Sequence, residues 1–302
     1  MTNTSYTSSE PTEAIVYTDE ELQAIKEAKN LLLSSSFCTK HKRSKPFQEV
    51  EISLRHLAIT TIINKNRPEE AAIKYLQWID VLQPWGIDTF QDSQLTSPPK
   101  ESDTYLQSYS KAGKDVRSTQ IFWIDGKHPI PNDLQQETYS IYAGIRYHMA
   151  IHADATTLRN GITFVIDVNQ KPDVKMGNEK RLQKTHNAYP LRPQNIFIVG
   201  ASKAVRLSVN ALIKLGSLVS NSKILKRIKF VDLENVLSEN GGTVLKESLP
   251  KHCREELEKK DLENLMGSLN INAEKDKGNE EKDECIVEWV NQRIANIPVP
   301  NV

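Results

Sequence analysis

Apolar residues in the first quarter of the chain recur with the period of an α-helix. The first helix is predicted to begin at Thr18, whose hydroxyl can cap the free backbone N–H groups while Glu21, three residues on, completes a capping box. Residues 50–63 and 68–82 carry the same period, and Pro84 ends the second of these helices. The pattern predicts a small helical bundle in this quarter of the chain.

Beyond residue 119 the pattern changes to short apolar runs separated by segments with helical periodicity. The predicted strands are residues 120–124, 161–168, 195–200 and 228–233. The predicted helices between them are residues 134–158, 179–187 and 204–218. Strands that alternate with helices imply a mostly parallel sheet with both faces covered. The predicted fold class is therefore α/β, with a mostly parallel sheet and covering helices, preceded by a small helical N-terminal region.

These changes of pattern divide the chain into regions. In order they are a disordered tail (residues 1–17), the helical region (18–87), a linker (88–119), the α/β domain (120–250) and a charged helical tail with a low-complexity segment (251–302). A short helix is expected near Tyr105 in the linker. The last helix, residues 284–297, is amphipathic, with apolar positions at Ile286, Trp289, Val290 and Ile294. We expect that face to dock onto the rest of the chain.

The amino-acid composition limits which binding partners and which cellular compartment are expected for the chain. Among the 302 residues, Lys plus Arg and Asp plus Glu both number 39, so bulk charge favours neither a nucleic acid nor an anionic membrane. The three cysteines are far apart and odd in number, unlike a secreted disulfide framework, and a cytoplasmic location is expected. The N-terminal tail lacks the features of a signal peptide, and no run approaches the roughly eighteen apolar residues of a spanning helix. Any membrane contact is expected to be peripheral.

One string resembles the glycine turn of a dinucleotide-binding domain. A predicted strand ends at Val199 and continues through Gly200 into a predicted helix. The further glycines that let the backbone approach a pyrophosphate are missing, because Ala204, Val205 and Arg206 follow. Gly200 is therefore expected only to shape the corner between strand and helix, and no cofactor is predicted.

The residues that could act in catalysis or bind a metal are scattered. Cys38 and His41 have C-x-x-H spacing, whereas His252 directly precedes Cys253 in a different segment, so no metal site is predicted. No G-x-S-x-G elbow presents a serine nucleophile. Asp167 follows an apolar strand, where a carboxylate usually meets solvent or caps the next element, and is expected to be structural. We predict no catalytic residues and no enzyme activity.

Several segments of the α/β region together resemble the CRAL-TRIO lipid-binding domain. They are the strand at residues 161–168, the sequence Tyr189-Pro190-Leu191-Arg192-Pro193, the strand at residues 195–199 and the amphipathic helix at residues 204–218. Residues 50–82 are similar to the small helical domain that precedes this domain in the family. The resemblance covers roughly residues 53–82 and 120–250. It implies a non-catalytic protein that binds a lipid in an enclosed apolar pocket and transfers or presents it at membranes.

The resemblance also implies which residues meet the ligand. The pocket would lie between the sheet and the helix at residues 204–218, which would act as a gate. The implied ligand-binding residues are Phe164, Ile166, Val168, Ile196, Ile198, Leu207, Ala211, Leu212 and Leu215. The residues expected to meet head groups or the membrane are Arg192, Lys203, Arg206 and Lys214. Independently, the alternation along residues 163–168 and 196–198 allows one face of each strand to line an apolar space.

The expected partners are a hydrophobic lipid, such as a phospholipid or sterol, and a membrane that is contacted transiently, with no nucleic acid. A preference for phosphatidylinositol is not expected, because Leu191 and Ile213 stand where phosphoinositide-handling members of the family carry Glu and Lys. Two alternatives stay open. The chain could be a protein-interaction adaptor of the same fold without a cavity, or a nucleotide-dependent enzyme that uses Gly200.

Overall fold

Residues 13–87, 89–107, 109–125, 133–168, 190–203, 206, 226–269 and 285–302 are described by a computed structural model of the chain. Within them, α-helices combine with a parallel β-sheet, which confirms the predicted α/β class. The predicted helices at residues 179–187 and 204–218 lie outside the described residues except for Arg206, as do most of the N-terminal tail and the low-complexity segment. Of the helices in these ranges, none combines the length and the apolar character needed to cross a membrane.

The first helix, α1 (Asp19–Leu33), has the predicted capping box. The Thr18 hydroxyl accepts a hydrogen bond from the Glu21 N–H at 3.2 Å, and the Glu21 carboxylate accepts one from the Thr18 N–H at 2.9 Å. Its buried side, which includes Ile25 and Leu32, packs mainly against the helices at residues 54–63 and 68–82. The capping box and the apolar period therefore place the start and the inner face of α1 as the sequence predicts.

Three more helices complete the N-terminal region. They are α2 (Ser35–Lys40), α3 (Leu54–Ile63) and α4 (Pro68–Leu82). The bounds of α4 are those predicted. The prediction for α3 was wrong at its start, because residue 50 lies in a 3-10 turn and the Ser53 hydroxyl caps the helix by accepting from the His56 N–H at 3.1 Å.

The linker contains two short helices, α5 (Asp92–Thr96) and α6 (Ser102–Leu106), and the second lies at the expected place near Tyr105. Both helices contribute buried leucines, Leu95 and Leu106, to the same apolar cluster as the N-terminal helices. The linker is thus folded onto the helical region along much of its length.

The long helix predicted at residues 134–158 is instead two helices, α7 (Leu134–His152) and α8 (Ala155–Asn160). The break occurs because the Asp154 carboxylate accepts a hydrogen bond from the Thr157 N–H at 2.8 Å and so caps a new helix. The apolar period continues across the break, which is why the pattern alone predicts one helix.

The sheet contains β1 (Ile121–Asp125), β2 (Ile162–Asp167), β3 (Pro193–Val199) and β4 (Ile228–Val231). The strands lie in the order β1-β2-β3-β4, and each neighbouring pair is parallel. The carboxyl ends of all of them therefore meet at one edge, which is where open α/β sheets usually carry their sites.

Gly200 ends β3 with a φ of +72°, in the left-handed region that favours glycine. Lys203 and Arg206 have helical backbone, and the Arg206 N–H donates to the Ser202 carbonyl at 2.9 Å. Gly200 thus shapes the corner between strand and helix, as its surroundings in the sequence predict.

Two apolar clusters lie on opposite sides of the sheet. The larger combines the N-terminal helices, α7 and residues of β1 and β2. The smaller lies between the other sheet face, the 3-10 turns after β4 and the start of α9 (Lys251–Leu269). The last helix, α10 (Ile286–Ala295), buries Val290 and Ile294 in the larger cluster, which confirms the expected docking of its apolar face.

Candidate functional site

The parallel register aligns the apolar residues of the sheet into two rows. One row is Phe122, Phe164, Ile196 and Ile228, and the next is Ile124, Ile166, Ile198 and Phe230. Because side chains alternate along a strand, all of these residues lie on one side of the sheet, which we call the apolar face. The structure thus brings together Phe164, Ile166, Ile196 and Ile198, which the sequence predicts as ligand-binding residues.

The apolar face is covered unevenly. On the β1 side, the Phe122 ring lies 5.1 Å from the Phe164 ring and 5.1 Å from the Tyr147 ring of α7, centroid to centroid. Towards β4, Ile166 and Phe230 are only half-buried and belong to neither apolar cluster of the described residues. Among these residues, therefore, the β4 side of the face has the thinner cover.

The opposite face is closed along β2 and β3, whereas on β4 Lys229 of that face is exposed and Val231 is half-buried. Thr163, Val165, Phe197 and Val199 are each no more than 1% exposed. Val165 and Phe197 pack among residues of the 3-10 turns and α9, including Leu233 and Leu257. On β2 the buried Val165 of the closed face contrasts with the half-buried Ile166 of the apolar face, which marks the apolar face as the place where this sheet can accept a further apolar group.

Val168 follows β2 directly and is half-buried, and its N–H donates to the Val199 carbonyl at 3.0 Å. It continues the alternation that puts Phe164 and Ile166 on the apolar face. The remaining predicted ligand-binding residues, Leu207, Ala211, Leu212 and Leu215, lie outside the described residues, as does Lys214.

The basic residues expected at head groups lie at two ends of the sheet. Arg192 precedes β3, and its guanidinium donates to the Arg159 carbonyl at the end of α8. Lys203 is exposed beyond the carboxyl end of β3, near Arg206, which lies 3.3 Å from the Asp232 carboxylate. The seven residues of β3 separate the two positions by roughly 20 Å. Lys203 and Arg206 thus share one end, while Arg192 joins β3 to α8 at the other.

Sequence reasoning missed half of the apolar face. Phe122 and Ile124 of β1, and Ile228 and Phe230 of β4, lie in the same rows as the predicted residues of β2 and β3. Ile228 and Phe230 alternate with Lys229 in the sequence, but residues 121–124 are apolar throughout and show no alternation for β1. The resemblance implies ligand-binding residues only on the two middle strands, and the parallel register adds those of β1 and β4.

A second cluster lies at the carboxyl end of β2. One ligand atom each from Asp167, His252 and Cys253 lies within 4.8 Å of the other two. His252 and Cys253 are in the first turn of α9, which packs on the closed face of the sheet. The sequence did not predict this grouping, because Asp167 is distant along the chain and only the fold brings it to α9.

Three fully buried histidines form the other concentration of titratable groups. The His148 and His152 rings of α7 have centroids 4.4 Å apart, and the His56 ring of α3 stacks on Trp78 at 3.9 Å. Burial lowers the pKa of His56 to about 3 and that of His152 to about 4, and it holds the pKa of His148 well below its ordinary value. The rings are enclosed in the larger core, so this cluster joins α3 to α7 and offers no surface for a substrate.

Comparison with family models and with curated protein sequences gives no relative from which a role could be transferred. No protein-family model matches the chain, and no curated protein sequence matches it. The resemblance to CRAL-TRIO domains therefore rests on the residues quoted for it, and it stays a prediction.

Proposed function

We propose that the chain binds a hydrophobic lipid on the apolar face of its sheet and transfers or presents that lipid at a membrane surface. The observation that carries the proposal is the in-register apolar face, whose cover among the described residues is thinnest towards Ile166 and Phe230. Apolar surface in contact with water is unfavourable by about 25 cal/mol per Å². A hydrocarbon ligand placed against this face removes that cost.

The chemistry of the face selects the class of ligand. All eight residues of its two rows are aliphatic or aromatic, so the part of the ligand that they contact is hydrocarbon, such as an acyl chain or a sterol ring. The CRAL-TRIO resemblance places the helix at residues 204–218 over the same space as a gate. With Leu191 and Ile213 in place of charged residues, we propose no preference for phosphatidylinositol.

Charge at one end of the sheet suggests how the protein meets a membrane. Lys203 is exposed beyond the carboxyl end of β3, with Arg206 close by along the chain. Basic groups near an anionic surface are each worth about 1 kcal/mol of attraction. The double variant Lys203→Ala/Arg206→Ala should bind anionic vesicles more weakly at low salt and like the unaltered protein at high salt.

A pair of variants on neighbouring residues of β2 tests the binding face. Ile166→Trp should abolish uptake of a fluorescent phospholipid or sterol without loss of stability, because the indole would occupy ligand space. Val165→Leu is the matched control on the closed face. It should cost about 1–3 kcal/mol by overpacking, yet leave uptake per folded molecule unchanged.

If Ile166→Trp destabilises the protein and leaves uptake intact, Ile166 belongs to a static core and the ligand lies elsewhere. If the unaltered protein takes up neither probe, the adaptor alternative replaces lipid binding.

The proposed gate has its own test. Leu212→Asp or Leu215→Asp should block transfer of lipid between vesicles while the chain stays folded, since a carboxylate keeps an apolar helix face out of the membrane boundary.

A further inference from the structure

The carboxyl end of β2 carries a second cluster of polar side chains, on the opposite side of the sheet from the apolar face. We propose that Asp167, His252 and Cys253 bind a zinc-class divalent cation through one carboxylate oxygen, one imidazole nitrogen and one thiolate sulfur. These three atoms lie within 4.8 Å of one another although the residues come from two elements, β2 and α9. The fold, and not a local sequence motif, assembles the site.

Small movements of the three side chains would bring their ligand atoms to the spacing of tetrahedral zinc coordination. Zinc binds sulfur at about 2.3 Å and nitrogen or oxygen at about 2.0–2.2 Å, which puts neighbouring ligand atoms roughly 3.5 Å apart. The ligand atoms need to approach one another by up to about 1.3 Å to reach that spacing. His252 and Cys253 lie at the second and third residues of α9, so side-chain rotation at the helix start can supply the contraction.

Burial favours a cation over other roles for these groups. Asp167 is 5% exposed and Cys253 1% exposed, and the Nε2 atom of His252 is buried without a hydrogen-bond partner among the described residues. A buried imidazole nitrogen in that state lacks the partner that a metal would supply. The thiol of Cys253 is too enclosed for attack on a substrate carbonyl, whereas a single ion needs far less room.

Charge and ligand type identify the ion. On binding, the Cys253 thiol releases its proton to solvent, so one carboxylate and one thiolate balance the two positive charges of the ion and the buried site becomes neutral. Sulfur and imidazole ligands favour zinc and its neighbours over magnesium or calcium, which prefer oxygen. Three ligands from the described residues leave a fourth position for water or another donor.

The test uses the untagged full-length chain after treatment with a chelator. Co²⁺ should bind one per chain with a thiolate-to-cobalt charge-transfer band, Zn²⁺ should displace it, and Zn²⁺ should raise the Tm. Cys253→Ser should abolish the band. His252→Gln and Asp167→Asn should each weaken Zn²⁺ binding by more than the roughly 10- to 100-fold that follows loss of an outer-shell partner.

Cys38→Ser and Cys285→Ser are the matched controls and should leave both the band and the affinity unchanged. The proposal fails if the unaltered chain shows no band, if the band persists in Cys253→Ser, or if a control variant removes it. Should Cys253→Ser not fold, half-buried His252 decides the question, because an unchanged Zn²⁺ affinity in folded His252→Gln also overturns the site.

Discussion

Glu21 of α1 and Arg159 of α8 form a two-point ion pair, with Nε–Oε1 and Nη2–Oε2 distances of 2.8 and 2.9 Å. The same carboxylate closes the capping box with Thr18, so one side chain both begins α1 and ties it to α8. Burial alone would raise the pKa of Glu21, but hydrogen bonds from Arg159 and Thr18 hold it below its ordinary value. The stabilisation is therefore present at neutral pH and is lost as the pH falls through that lowered pKa.

Glu21→Gln should lower the free energy of unfolding by about 2 kcal/mol, because it removes the charge that Arg159 meets while leaving an oxygen to cap α1. Urea unfolding at pH 7 measures the loss. Glu20→Gln is the control on the exposed side of the same turn and should cost far less. Equal losses in the two variants would show that the ion pair adds nothing beyond the charge of the helix start.

From the lowered pKa values of the buried histidines we predict that the folded state loses stability in acid. In the unfolded chain a histidine has a pKa of about 6.5, whereas in the folded chain the pKa values of His56 and His152 are about 3 and about 4. Between pH 6.5 and pH 4 the unfolded state therefore binds protons that the folded state does not. Stability should fall as the pH falls through this window, by up to about 1.4 kcal/mol per pH unit for each histidine.

Denaturant titrations from pH 7.5 to pH 4.5 measure that slope. His56→Phe, which keeps a ring against Trp78, should make the slope shallower because one titrating group is gone. His41→Phe is the control, since His41 is only half-buried and already lies against the Phe37 ring. A slope that His56→Phe leaves unchanged would mean that other groups control the loss of stability in acid.

The packing of α10 in the larger apolar cluster should contribute to the stability of the whole fold. Ile294 is 1% exposed there, and Arg293 donates from its Nε to the Ala150 carbonyl of α7 at 2.6 Å. Ile294→Ala should cost about 2–5 kcal/mol, as truncations of a buried isoleucine do. Glu288→Ala, on the exposed side of α10, should cost a few tenths at most. Similar unfolding midpoints for the two variants would contradict the docked position of α10.

Alanine substitutions at two glycines with positive φ distinguish the cost of backbone strain from the cost of close packing. Gly161 has a φ of +92°, and a Cβ there would lie 2.3 Å from the Arg192 carbonyl oxygen, whereas at Gly86, with a φ of +72°, a Cβ would meet nothing within 4 Å. Gly86→Ala should cost about 1–2 kcal/mol from strain alone. Gly161→Ala should cost clearly more, because the segment before β3 must also move. If thermal unfolding shows comparable losses of stability in the two variants, the segment before β3 moves without a measurable free-energy cost.

Local features made the helices predictable. Pro68 and Pro84 bracket α4, and Thr18 with Glu21 defines the start of α1, so residues close in sequence settle these bounds. Asp154 is also a local cap, but the apolar period on both sides of it predicts one continuous helix. Where two local signals disagree, the pattern alone does not say which prevails.

Features that depend on register or on distant contacts were beyond the sequence. Alternation within a single strand shows that Phe164 and Ile166 share a side, but only the parallel register shows that Phe122 and Phe230 continue their rows. The grouping of Asp167 with α9 likewise depends on how α9 packs across the sheet. Chemistry assembled by tertiary contacts leaves no spacing to find along the chain.

Native mass spectrometry of the intact chain, after incubation with mixed phospholipid and sterol vesicles, tests the proposed lipid binding most directly. A one-to-one complex with a single lipid should form in the unaltered protein and in Val165→Leu, and it should be missing in Ile166→Trp. Only the ligand-free mass in every sample, together with an organic extract of the purified protein that contains no lipid, would contradict the proposal that the apolar face is a lipid-binding site.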